Sequence, residues 1–386
     1  MAAYPYIIAS IINGLGRLTP AFAFRLLSKS WLVFLLIICL SGFVIVITAT
    51  VIPISISNIN SEANLANWLG LFIPSNLFKA LSNNNLPAVI FFCVIFAVLL
   101  QPIQSKKHLL IFFEVISKVC LSFWQKLIKF SPIAIFVLLA STIGTIDFTD
   151  FMKIGELIGL YLFVTIILIF WIYPVLIMVV TSLSYREIFK IAGPGLIIAA
   201  ATTLSIAALP LLAKEIRLWL SHIRERTTHR REEEKEVTET LLYVIYPFAQ
   251  IGNYMVYIFV IFISYYFLEQ IYSIKYYFLP VTSYLASIGS PSAIANALEF
   301  LLNWLSLNQE GLNIYFSIMP ILRYSQVLVS VMAMFSLGLL SSYLYFYKPK
   351  LRWKLLLSNL VLLIILSISF FHYSKIIFPS ENITAF

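Results

Sequence analysis

Long uncharged apolar runs constrain this chain more than any other feature of its sequence. Residues 32–52, 157–181 and 355–371 contain no Asp, Glu, Lys or Arg, and a helix needs roughly 17 to 25 apolar residues to cross a bilayer. The chain is 61% hydrophobic and only 11% charged, which leaves too few polar residues to cover a soluble protein. The sequence therefore predicts an all-α, multi-pass membrane protein of the cell membrane.

The basic residues indicate the orientation of the chain and exclude a nucleic-acid-binding protein. Lys and Arg exceed Asp and Glu by 26 to 17, a net charge of +9. They concentrate at the ends of apolar runs, where cations keep a segment cytoplasmic, and form no basic surface with interleaved aromatic residues. The dense groups are Arg25 with Lys29, Lys106 with Lys107, Arg186 with Lys190, residues 214–235 and residues 348–354. We expect these groups to face the cytoplasm.

Residue types that mark metal centres and enzymes are scattered. The three cysteines lie inside apolar runs, and the four histidines lie at run ends or in a charged loop, without the spacing of a ligand set. No acid–base pair or activated nucleophile is recognisable within the apolar segments. The sequence predicts no enzyme, no cofactor and no metal site of this kind.

Two apolar stretches conflict with simple spanning helices. The first, near residues 186–220, carries cytoplasmic-type cations at both ends, so an even number of crossings lies between them. A helical hairpin that enters the membrane and returns satisfies this, with breaks at Gly193-Pro194-Gly195 and Pro210. The second, near residues 276–306, must double back from the outer side. The alternative is that both are ordinary spanning helices and that one or two cation groups break the charge rule.

Polar residues inside apolar segments are the candidate site residues. Arg323, Gln326 and Ser330 follow one another at helical spacing and share one face, and a buried intramembrane cation usually faces a cavity or an anionic partner. The alternative is that Arg323 reaches the interface from a kink at Pro320. The other candidates are Ser205 in the first hairpin tip, Gly289 and Ser290 in the second, and Asn253 at a helix break. Asn253 is equally consistent with a structural interhelical hydrogen bond.

Several stretches resemble the dicarboxylate/amino-acid:cation symporter family, the glutamate-transporter homologues. They are residues 73–81 with 86–92, 131–136 (SPIAIF), 208–210 (ALP) and 285–291 (LASIGSP). The resemblance implies the family fold with two opposed re-entrant hairpins, elevator-type transport and a homotrimer in the lipid bilayer. It also implies scaffold-type helices in residues 1–107 and a transport core in 108–346. The first family helix and half the second have no counterpart, so the chain is expected to be N-terminally incomplete.

Two segments fall outside that pattern. Residues 221–240 form a charged cytoplasmic loop of mixed sign, typical of a solvated connector. Residues 351–372 add a C-terminal transmembrane helix that the family does not typically have. That helix could lead toward an external solute-binding domain in a longer protein.

The departures from the family motifs bear on the solute. The seventh-helix motif NMDGT is replaced by Asn253-Tyr254-Met255-Val256-Tyr257. In the eighth helix, an ungapped match puts Arg323 at the acid that holds a substrate amino group, Gln326 at the substrate arginine and Met334 at a sodium-binding acid. A shift of three residues would match Arg323 to the family arginine instead. Either way the carboxylate ligands that cations prefer are absent, which leaves only Asn253 as a candidate cation ligand for sodium or proton coupling.

These observations predict a secondary active transporter of a small anionic or polar solute, dicarboxylate or amino-acid-like. Replacement of an acid by Arg323 should repel an ammonium group and attract an anion, which moves the specificity away from aspartate and glutamate. The alternative is a transport-inactive relative that serves as a membrane receptor or scaffold.

Overall fold

The fold is almost entirely helical. A computed structural model describes residues 3–18, 20–57, 73, 76–82, 86–128, 133, 136–137, 148–222, 238, 241–242, 245–246, 248–288, 293–347, 349 and 351–377. The helices of the first half are α1 (Ala3–Arg17), α2 (Pro20–Ala49), α3 (Leu77–Ser82), α4 (Leu86–Leu100), α5 (Lys107–Ile128), α6 (Phe148–Ile167) and α7 (Tyr173–Val180). Those of the second half are α8 (Tyr185–Thr202), α9 (Ser205–His222), α10 (Ile251–Tyr254), α11 (Val256–Tyr266), α12 (Ser273–Ser287), α13 (Ala293–Leu305), α14 (Glu310–Phe346) and α15 (Trp353–Ile377). Strands β1 (Ile56–Ser57) and β2 (Ile271–Tyr272) form a short parallel pair.

Three helical stretches in the described part of the chain are long and apolar enough to cross a membrane. They are Ser30–Ala49 in α2, Lys153–Val180 in α6 and α7, and Glu310–Phe346 in α14. Helix α14 lies at the centre of the bundle, where α2, α6, α8, α9 and α10 all pack against it. Apolar residues surround this helix over most of its length, and its buried residues extend from Gly311 to Tyr343, so it suits burial on all sides.

The buried apolar residues form two clusters. The smaller one joins α1 to α4 and α5, where Gly16 lies against Leu110 and Leu100. The larger one contains α2 and the helices from α6 onward. Packing therefore places α2 with the later helices. The predicted division into a scaffold (residues 1–107) and a transport core (residues 108–346) is about which helices move together. It stays a prediction.

The first predicted hairpin is a pair of antiparallel helices, α8 and α9, in contact along their length. Helix α8 begins with a capping box, in which the Ser184 backbone N–H and hydroxyl both donate to Glu187. These hydrogen bonds hold the pKa of Glu187 below its usual value because they favour the charged carboxylate. The chain reverses at Thr203, whose φ of 54° is left-handed. The depth of this reversal in the membrane stays a prediction.

The predicted breaks at the prolines are wrong. Pro194 lies inside α8 and Pro210 inside α9, and both helices continue through them. A proline removes one helical hydrogen bond, but packing retains the helix here. Gly195 lets the two helices approach so closely that a β-carbon at this position would lie 2.5 Å from Leu212 Cδ2.

The second predicted hairpin is also a pair of contacting helices, α12 and α13. Pro280 lies inside α12 without ending it. The predicted tip residues Gly289 and Ser290 lie outside the described residues, as does the charged loop at 223–237. The extra C-terminal helix is present as α15 and packs against α7.

A π-helical turn, Leu168–Ile172, joins α6 to α7. Trp171 in this turn donates its indole N–H to Asn359 Oδ1 of α15 at 2.8 Å. The hydroxyl of Tyr173, directly after the turn, lies 2.9 Å from the hydroxyl of Ser41 in α2. The π turn thus directs neighbouring side chains toward two different helices.

Candidate solute site

The centre of the candidate site is an interrupted stretch of chain between Tyr246 and Met255, which we call the broken segment. A turn precedes the single helical turn α10, and a second turn at Met255 separates α10 from α11. The sequence predicts the break at Asn253, and the helix is interrupted two residues later, at Met255. Non-helical backbone leaves amides and carbonyls without helical partners, and inside an apolar bundle they must find others.

Helix α14 supplies the first of those partners. The Gly252 N–H donates to Ser330 Oγ at 3.0 Å. A β-carbon on Gly252 would overlap the backbone carbonyl of Gln326, so only glycine allows this approach of the two backbones. Both Gln326 and Ser330 are buried. Two of the three residues predicted on the polar face of α14 therefore contact the broken segment.

Tyrosines from α6 and α14 add to this contact. The Tyr161 hydroxyl donates to the Met255 carbonyl at 2.7 Å, where the helix is interrupted. The Tyr315 hydroxyl lies 3.4 Å from the side-chain amide of Gln326. Because a buried Tyr usually needs a partner for its hydroxyl, these contacts fix both rings and the backbone that they touch.

Both helix pairs reach the broken segment from different sides. In the first pair, the hydroxyl of Ser205 donates to Gln250 Oε1 at 3.1 Å. In the second, Asn253 Nδ2 donates to the Ser287 carbonyl at 3.4 Å. Tyr284, near the end of α12, also contacts the broken segment, because its hydroxyl donates to the Phe248 carbonyl at 3.2 Å. The start of α9 and the end of α12 thus meet the same ten residues.

Arg323 lies one turn before Gln326 on α14. Its Nη1 and Nη2 are buried, and neither has a hydrogen-bond partner among the residues that the structure describes. Tyr315 and Tyr246 are the titratable side chains close to its guanidinium among the described residues. The Tyr246 hydroxyl is also buried and has no hydrogen-bond partner in the described part of the chain. Unpaired buried donors beside a cation are an arrangement that suits an anion.

Five of the seven predicted site residues lie together in this region: Ser205, Asn253, Arg323, Gln326 and Ser330. The other two, Gly289 and Ser290, lie outside the described residues. The sequence interpretation did not include Tyr161, Tyr246, Tyr315 or Gln250 in the site. The chain has 21 tyrosines, so a single tyrosine in an apolar run does not indicate a site residue. The side-chain amide of Gln250, close to Gly252 and Asn253, could have indicated one.

The sequence lacks the family carboxylates that would bind a coupling cation, so such a cation would need another cluster of ligands. Among the described residues, no three His, Cys, Asp or Glu side chains come together in a way that could hold a metal ion. Asn253, the candidate cation ligand, uses its amide to hold the second helix pair. Its role toward a cation stays a prediction.

The chain is similar to known symporters. The sequence profile of the sodium:dicarboxylate symporter family matches residues 1–343. The chain is 26% identical over 141 residues to a proton/glutamate-aspartate symporter of Bacillus subtilis (strain 168), and 27% identical over 160 residues to a proton/sodium-glutamate symport protein of the same strain. These alignments cover 36% and 40% of this chain. The chain spans about a third of the length of the curated relatives that it matches, 34% and 36%.

The family profile covers every residue of the candidate site. It confirms the resemblance found in the motifs, and with the apolar helices it confirms an integral, multi-pass membrane protein and supports a location in the cell membrane. Symporters are transporters rather than enzymes. The chain therefore belongs to the sodium:dicarboxylate symporter family.

Proposed function

We propose that this protein is a secondary active transporter that carries a small anionic solute at the broken segment, by an elevator-type movement. Membership of a symporter family supports transport. The meeting of two helix pairs at interrupted backbone supports the position of the solute, because secondary transporters build their sites from broken helices near the bilayer midplane. Helices α1, α4 and α5 share the smaller apolar cluster, which also reaches Ile288 after α12, and we propose that they belong to the group against which the other helices move.

The observation that carries the proposal is the buried guanidinium of Arg323. A charged group inside a bundle is costly unless it is paired, and both terminal nitrogens of Arg323 have no partner among the described residues. A bound carboxylate would supply two acceptor oxygens in the geometry that a guanidinium prefers. The solute itself would then stabilise the buried charge.

The relatives are named for glutamate and for coupling to protons or sodium. We propose that this chain also carries an anion through a symporter-type fold, but that its solute is a different one. In the ungapped match, Arg323 stands at the position of the acid that binds an amino group. The trimer expected from the family resemblance is also proposed for this chain.

Uptake into proteoliposomes tests the proposal. Purified protein would be given radiolabelled succinate, pyruvate, lactate, aspartate and glutamate, with and without a sodium or proton gradient. We expect at least one anion to enter, and we expect Arg323→Ala to abolish its uptake while Arg323→Lys retains a weak residual rate. Arg186→Ala is the matched control because Arg186 is exposed at the start of α8.

Two results would contradict the proposal. Normal uptake by Arg323→Ala would remove Arg323 from the site. Stabilisation of the protein by an anion without any uptake would favour the alternative of a membrane receptor, and stabilisation by no solute at all would favour a scaffold.

A further inference from the structure

Apart from α6, which supplies Tyr161 and carries Glu156, the segments that build the candidate site contain long stretches without any carboxylate. Asp and Glu are absent from residues 188–214, 240–268, 270–298 and 311–346. This is a property of the full sequence and includes both hairpin tips and the broken segment. A solute bound here would meet no fixed negative charge on any of these segments.

The same segments contain few positive charges, and only one of them lies at the site. Lys190 and Lys214 are exposed on α8 and α9. Lys275, on α12, donates to the Trp304 carbonyl at 2.6 Å. The remaining cation is Arg323, and a guanidinium stays protonated in proteins. The site therefore has a fixed charge of one positive unit.

This charge selects among solutes. An amino acid would place its ammonium group beside Arg323 with no carboxylate to receive it, and like charges in a low-dielectric interior repel strongly. A carboxylate without an amino group has no such conflict. It can accept from Nη1 and Nη2 of Arg323 and from the hydroxyl of Tyr246, three donor groups left without partners among the described residues.

The charge also determines when the carrier can move. With one carboxylate bound, the site is neutral. When empty, it carries an uncompensated positive charge, and moving such a charge through the bilayer is unfavourable and depends on the membrane potential. A cation symporter can balance the charge of its site with carboxylates that bind and release cations. The segments named above contain no carboxylates that could do this. Movement in both directions is then easiest with an anion bound each time.

We propose that the protein exchanges carboxylate monoanions that lack an amino group, one inward for one outward, without cation coupling. This inference rests on the proposed function and specifies both its substrate class and its mode of transport. Arg323 compensates the charge of the bound carboxylate. Tyr246 is a third donor that favours a carboxylate over a single-atom anion such as chloride.

Counterflow in proteoliposomes tests the exchange. Vesicles would be loaded with unlabelled pyruvate, lactate or chloride, without sodium, at equal pH on both sides and with the membrane potential held at zero. We expect labelled pyruvate or lactate to enter carboxylate-loaded vesicles about tenfold faster than chloride-loaded ones, because the charged empty carrier returns slowly. Labelled glutamate and aspartate should not enter.

The variants separate binding from charge compensation. Tyr246→Phe should raise the KM for pyruvate severalfold and leave the dependence on internal carboxylate unchanged. Arg323→Gln makes the empty site neutral, so any uptake that it retains should no longer depend on an internal carboxylate. Arg186→Ala should behave as wild type. The thermal stability of each purified variant checks that it is folded, and pyruvate should stabilise Tyr246→Phe less than wild type.

The outcomes distinguish this inference from the proposed function. Equal uptake into chloride-loaded vesicles, or uptake driven only by a sodium gradient, overturns the exchange and leaves a transporter. Uptake of glutamate at the rate of pyruvate overturns the substrate class. No uptake of pyruvate or lactate overturns the exchange, and the proposed function falls with it only if succinate, glutamate and aspartate also fail to enter.

Discussion

At the scale of single residues, Gly252 packs against the Gln326 carbonyl on α14 so tightly that a β-carbon would overlap it. The contact brings the Gly252 N–H to Ser330 Oγ. The glycine at position 252 therefore determines both how closely α10 approaches α14 and whether this hydrogen bond forms. Hydrogen bonds between transmembrane helices are worth about 0.6 kcal/mol on average. Steric overlap at a packed contact costs more, typically about 1–3 kcal/mol.

Gly252→Ala should therefore lower the thermal stability of the purified protein and abolish transport, with a loss of about 1–3 kcal/mol from overpacking. Thermal unfolding in detergent measures the first effect and uptake the second. Gly159→Ala is the matched control, because a β-carbon there meets no atom within 4 Å and alanine favours a helix. Equal stability of the two variants would mean that α10 and α14 are not in close contact.

Residues of the site differ in how visible they are in the sequence. Arg323, Gln326 and Asn253 are predictable because polar side chains in apolar runs are costly and need a reason. Tyr246 and Tyr315 are not, because a tyrosine suits an apolar core, an interface and a site equally. Their role depends on which hydroxyl lies near Arg323, and this follows only from the packing of distant segments.

At the scale of helices, the prolines show where local sequence rules fail. Pro194 and Pro280 each remain inside a helix, although each removes a backbone hydrogen bond. In both helices a neighbouring helix packs alongside, and tertiary packing outweighs the local preference. The reversal at Thr203 instead coincides with a cluster of small hydroxyl residues, which the sequence does indicate.

The contact between the π turn and α15 gives a prediction at this scale. Asn359→Leu removes the acceptor for the Trp171 indole, which should lower the stability of the purified protein by about 1 kcal/mol. Thermal unfolding in detergent measures this loss. Trp171→Phe combined with Asn359→Leu should be no less stable than Asn359→Leu alone, because no buried donor then remains unpaired.

Ser358→Ala is the control for α15, because Ser358 is exposed and its hydroxyl donates to the Leu355 carbonyl of its own helix. A stability loss of the same size in this variant would show that the effect comes from α15 in general. No loss in Asn359→Leu would mean that α15 does not dock on the π turn.

At the scale of the whole molecule, the two helix pairs make a topological prediction. If α8 and α9 enter and leave the membrane from one side, the variants Ser182→Cys and His222→Cys should both react with an impermeant thiol reagent added on the cytoplasmic side. Both positions are exposed, and the three native cysteines would first be replaced. Reaction of the two positions from opposite sides would contradict both the antiparallel arrangement of α8 and α9 and the predicted re-entrant hairpin.

The sequence predicts much of the architecture and little of its packing. Charge at the run ends indicates an even number of crossings between residues 186 and 220, because cations remain cytoplasmic. Composition cannot indicate that α2 packs with α11 and α14 rather than with α1. That choice depends on shape complementarity between apolar surfaces of equal hydrophobicity, which one sequence does not display.

The parallel pair β1–β2 has a mechanical consequence for the proposed movement. It joins the connection after α2 to the connection before α12, with the Ile271 N–H donating to the Ser55 carbonyl at 3.1 Å. Because this pair ties the chain after α2 to the chain before α12, the proposed movement should carry α2 and α12 together, since separating them would break the hydrogen bond between Ile271 and Ser55.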